Sequence, residues 1–154
     1  MTATPAAPFS RWPIQSFHPE IGFTWFTEPA VFVSQATVRH GTLDAARWVQ
    51  DRVDEALATH AKRIAALGGL LIIHDLSSVK SYESEARVHW GERIKRRPTA
   101  FARAAIVCVA PNPLLRMAAQ GLNMLAALHV KTTVKMVSDL SPVLAEYKVV
   151  APGS

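Results

Sequence analysis

Two apolar runs constrain the fold of this chain more than any other feature: GGLLII at residues 68–73, which ends in His74 and Asp75, and AAIVCVA at residues 104–110. A strand with water on one face alternates apolar and polar residues, whereas an unbroken run needs cover on both faces, as the central strands of a parallel sheet have. Each run leads into a stretch with helical spacing. Strands that alternate with helices form right-handed crossovers and a mostly parallel sheet with helices packed on it.

The rest of the chain fits that frame. GFTWFTEPAVFVSQATVRHG, residues 22–41, is rich in aromatic and β-branched residues and is broken near Glu28 and Pro29, which predicts a hairpin of two short strands. Residues 42–67 predict a long helix with Thr42 as N-cap, Asp44 in its first turn, and Leu43, Ala46, Val49, Val53, Leu57, Ile64 and Leu67 near helical spacing. A second helix is expected over residues 82–97, with Ala86, Trp90 and Ile94 at four-residue steps and Pro98 closing it. A third, over 111–130, starts with Asn112 as N-cap and Pro113 at its first position. TTVKMV at 132–137 alternates as a strand, and Ser141 with Pro142 marks the start of a last short helix. The predicted order is β-β-α-β-α-β-α-β-α, a single α/β domain over residues 21–150. Residues 1–20 hold four of the ten prolines and little periodicity, so they predict an irregular arm, pinned through Trp12 and Phe17.

Composition excludes several classes. A chain of 154 residues, 49% of them hydrophobic, buries roughly 70% of its unfolded surface and needs no staple. Its single cysteine, Cys108, lies inside an apolar run, so neither a disulfide framework nor a cysteine zinc site can form within one chain. A reducing, cytoplasmic setting is expected. MTATPAAPFSRWP lacks the basic start and apolar core of a signal peptide, and no apolar run approaches the ~20 residues of a membrane-spanning helix. The net charge of +5 is scattered except for Lys95, Arg96 and Arg97, which complement a helix dipole. No aromatic residues interleave with them, so no nucleic-acid partner is expected.

In open α/β sheets ligands gather beyond the carboxyl ends of the strands, where loops converge and helices begin. That rule selects Asp75, Ser77, Ser78, Ser81 and Ser84 after one strand, Asn112 after the next, and Ser138 and Asp139 after the last. Enzyme templates do not match these positions. Gly68 and Gly69 precede their strand, so no phosphate-cradling loop joins a strand to a helix, and no G-x-S-x-G elbow occurs. Histidines 18, 40, 60, 74, 89 and 129 show no metal-ligand spacing, and Cys108 reads as a packing residue. His74 and Asp75 are adjacent on a strand and point to opposite faces, which precludes an acid–base pair. No cofactor, no metal and no catalytic role are expected.

The element order, together with LIIHDLSSVKSYESEA, resembles the STAS domain of sulfate transporters and anti-sigma factor antagonists. That family's hallmark is a strand ending in Asp-Leu-Ser-Gly-Val, then a linker and Asp-Ser-Ser-Gly at a helix start. Asp75, Leu76, Ser77 and Val79 match the first half, with Ser78 in place of glycine. In the second half Glu83 replaces Asp, Ser84 falls on the serine that partner kinases phosphorylate, and Glu85 and Ala86 replace Ser and Gly. The resemblance implies a non-catalytic signalling or scaffold domain that binds a protein partner, a kinase or signalling protein, through a rim of Asp75, Ser77, Ser78, Ser81, Glu83 and Arg87, with Ser84 as phosphosite. A phosphate at a helix start meets unpaired N–H groups and a favourable dipole, but Glu83 and Glu85 add two like charges. Ser81 and Ser84 read equally as plain caps. The apolar stripes of the first and third helices, with Trp48, Met117 and Met124, either fill the core or meet a second copy as a homodimer. A related STAS-like group resembles the lipid-binding Sec14 fold, which offers the alternative of a carrier for a small apolar ligand.

Overall fold

The structure, a computed structural model, describes residues 3–98, 102–110 and 133–153. In chain order its elements are β1 (Ser16–His18), β2 (Gly22–Thr27), β3 (Val31–Ala36), β4 (His40–Gly41), α1 (Leu43–Thr59) and α2 (Ala61–Ala66). There follow β5 (Leu70–Asp75), β6 (Ser81–Tyr82), α3 (Ser84–Arg96), β7 (Ala102–Val109), β8 (Thr133–Val137) and α4 (Ser141–Glu146). The helix expected over 111–130, with Asn112, Met117 and Met124, lies outside the described residues.

Six strands form one sheet in the order β1-β2-β3-β5-β7-β8. β1, β2 and β3 run antiparallel, while β3, β5, β7 and β8 are mutually parallel neighbours. Every residue of β5 is buried, as its unbroken apolar run requires. The expected hairpin is β2–β3, which pairs Trp25 with Val33 and Phe26 with Phe32. β1 is an added edge strand inside the stretch read as irregular.

The pleat sorts side chains onto two faces. On one, Phe32, Leu70, Ile72, Ile106 and Cys108 meet Val53 and Ala56 of α1, Ile64 of α2 and Ile94 of α3. On the other, Phe23, Trp25, Val31, Val33, Leu71, Ile73, Val107 and Val109 meet Leu140 and Val143 at α4 and Phe9 of the N-terminal arm. Phe9 is 0% exposed, so the arm belongs to the core despite its irregular backbone. Trp12 does pin it, edge-on to Phe9 at 4.7 Å, and the Trp25 indole donates to the Pro13 carbonyl at 2.8 Å. Phe17 instead lies on β1, 38% exposed and stacked on Phe23.

Two helix boundaries depart from expectation. The long first helix stops at Thr59 and restarts at Ala61, because the His60 ring lies flat on Phe26 with centroids 3.8 Å apart and turns the chain so that Ile64 enters the core. The last helix is capped by Asp139, whose carboxylate accepts the Ser141 N–H at 3.2 Å; the Ser141 side chain makes no capping bond. Thr42 caps α1 as expected, accepting the Ala45 N–H at 3.0 Å. α1 and α3 are clamped by charge: Arg93 bonds Asp51 and Asp54, and buried Arg97 bonds Asp54 and Gln50. Arg97 therefore serves packing, while Lys95 and Arg96 stay exposed in the last turn of α3.

Candidate functional site

The carboxyl rim of the parallel strands is organised by a feature too short to register in any sequence pattern. β4 and β6, two residues each, pair in parallel, His40 with Ser81 and Gly41 with Tyr82. Gly41 permits the approach, since a Cβ there would stand 3.0 Å from the Tyr82 Cβ. His40 Nδ1 and Ser81 Oγ are 2.8 Å apart across the pair. Because α1 begins right after β4 and α3 right after β6, the pairing sets the two helix starts side by side. Glu83 couples them further: it is the N-cap residue of α3, yet its carboxylate accepts the Leu43 N–H of α1 at 2.8 Å.

The rim residues expected from sequence divide into two groups. Asp75, Ser81 and Glu83 spend their side chains on internal bonds. Asp75 is 4% exposed and accepts from Gln35 Nε2 at 3.0 Å, from the Ser77 N–H at 3.1 Å and from Ser77 Oγ at 2.5 Å, which fixes the turn after β5. Gln35 holds the arm as well, accepting the Ala6 N–H at 2.9 Å and donating to the Ala6 carbonyl at 3.1 Å. Ser78, Ser84 and Arg87 are exposed, Arg87 at the margin of a cavity between α1, α3 and the strand ends. Ser84 is the first residue of α3, and neither it nor Ser81 is a cap, which corrects that expectation. Val88, 55% exposed beside Ser84 and Arg87, carried no sequence signal.

His74 and Asp75 do point to opposite faces. His74 bonds Ser34 across 2.7 Å and meets the inward-turned Trp90 ring at 4.5 Å. Burial, aided by the Arg97 charge, lowers its pKa to about 3, and burial raises the Cys108 thiol to about 12. Both groups are therefore held in their neutral forms near pH 7, buried away from solvent. Among the described residues no three His, Cys, Asp or Glu side chains gather to hold a metal.

Above this neutral floor lies a cavity of about 120 Å³ between α1, α3 and the strand ends. Its walls include Ala46, Leu76, Val79, Ala86, Trp90 and Met136. The space follows from residue size: Ala45 and Ala46 on α1 and Ala86 on α3 face the strand ends with single methyl groups. Tyr82 and Thr42 also line it, the Thr42 hydroxyl being engaged by the Ala45 N–H, and Arg87 is the one charged residue among its described lining residues. Alanines in a helix read as helix propensity, so the void is not legible in the sequence.

No protein-family model matches the sequence, and no curated protein matches it. Among solved structures the chain is similar to an uncharacterized protein of the DUF3478 family with a SpoIIAA-like fold from Shewanella loihica PV-4. The likeness has a TM-score of 0.53 at 14% identity and covers 82% of this chain and 90% of that one. The class is thereby set: this is a mixed α/β domain with a mostly parallel central sheet and a SpoIIAA-like, STAS-like fold.

Proposed function

We propose that the protein is a non-catalytic STAS-like binding domain that holds a small apolar ligand in the cavity between α1, α3 and the carboxyl ends of β5, β7 and β8. The observation that carries this reading is the apolar lining at the rim where ligands of open α/β sheets collect, with Arg87 exposed at its margin. Residues that could do chemistry nearby are neutral or bonded internally, which favours binding over catalysis. Titration of the folded protein with benzene, followed by 1H–15N NMR, tests it. Shifts confined to Ala46, Leu76, Ala86 and the Trp90 indole are expected; an unchanged spectrum would end this reading.

A protein partner on the exposed face of α3 is the second reading, favoured by Ser84 and Val88, four residues apart and both exposed. A phosphate on Ser84 would meet the start of α3, and the Glu83 carboxylate beside it is already engaged by the Leu43 N–H. Intact-mass measurement of protein from its native host, with and without Ser84→Ala, tests the switch. A phosphate that survives the substitution excludes Ser84 as its site.

A further inference from the structure

Resting on the ligand reading above, we infer that the cavity selects a small monocarboxylate, a carboxyl group on an apolar body of about six carbons, with Arg87 as the anchor for the anionic end. Size sets the body. A dry apolar cavity of roughly 150 Å³ accepts benzene, and the space here is about 120 Å³. A phenyl ring or a short alkyl chain fills it; a long acyl chain would leave most of its length outside.

Charge sets the head group. Arg87 lines the cavity, is exposed, and joins none of the ion pairs found among the described residues. The competing anion site, the start of α1, is already occupied: the Leu43 N–H is bonded to Glu83 and the Ala45 N–H to Thr42. A guanidinium offers a planar fork of donors that matches a carboxylate. The His74 and Cys108 side chains beneath are neutral and add no repulsion. An apolar wall with a cation at its margin that forms no ion pair among the described residues is complementary to an amphipathic acid, and a neutral hydrocarbon leaves that cation unused.

The test compares phenylacetate with phenylacetamide, which has the same shape and no charge, by calorimetry at low salt and by the Trp90 indole resonance. The acid is expected to bind roughly tenfold more tightly, the scale of one charge-assisted bond at a solvent-reachable site. Arg87→Gln, a surface change, should bring the acid down to the level of the amide, and Ala46→Leu should abolish both by filling the space. Equal affinity of acid and amide for the unsubstituted protein would overturn the carboxylate assignment and leave the ligand reading standing. Binding of neither compound, nor of benzene, would overturn both. Tighter binding of decanoate than of hexanoate would overturn the size limit.

Discussion

The two faces of the central sheet are covered by different means. The arm face is filled with rings: Phe9, Trp12 and Trp25 lie 4.7 to 5.3 Å from one another, and Phe23 stacks on Trp25 at 5.7 Å. The helix face is covered by regular helices, but near the carboxyl rim these present alanine and leave a void against Trp90 and the strand ends. Irregular backbone packs tightly on one side, and ideal helices leave room on the other. Side-chain volume, more than backbone regularity, separates a face that stabilises from a face that can bind.

Breaking the filled face should have the largest effect. Phe9→Ala is expected to lower stability by about 3–5 kcal/mol, because a ring with no exposed surface is lost from a closed aromatic cluster. Urea unfolding measures it; a loss below about 1 kcal/mol would show the arm to be an ornament.

On the helix face, His74 predicts the next largest effect. Its folded pKa of about 3 lies below the ordinary 6.5, so the unfolded chain binds the extra proton. The stability is present in full above pH 6.5 and is lost as pH falls toward 3, at about 1.4 kcal/mol per pH unit for one proton. About 2 kcal/mol should therefore disappear between pH 6.5 and 5, and His74→Asn should flatten that part of the profile. An unchanged slope in the variant would mean that another group titrates.

Thr42→Ala removes the cap of α1 and should cost about 1 kcal/mol. The smallest effect should carry the opposite sign: Ala46→Leu, which adds volume beside the void, is expected to gain about 0.5–1 kcal/mol. A clear loss on that substitution would mean that the helix face is as tightly filled as the other. The two faces would then no longer differ in kind.

Elements set by a long, local pattern are legible in the sequence. The apolar run of β5, the Trp25–Val33 hairpin, the Thr42 cap and the alternation of strands with helices each follow from neighbours in sequence. Features decided by a partner distant in the chain are not legible there. His60 interrupts α1 without glycine or proline because Phe26, far away in the chain, supplies a ring to lie on. The β4–β6 pair is two residues long and exists through tertiary contact alone. Phe9 sits in a proline-rich stretch with no period, so nothing local marks it as core. At the rim, position in the chain marks Asp75 and Glu83, but their engagement by Gln35 and by the Leu43 N–H depends on residues 40 positions away.

Gln35 has one carboxamide and two clients. The same group that grips the backbone of Ala6 also steadies Asp75, which in turn braces Ser77. A single side chain thus spans from the amino-terminal arm to the turn that leads into Leu76 and Val79 at the void's edge.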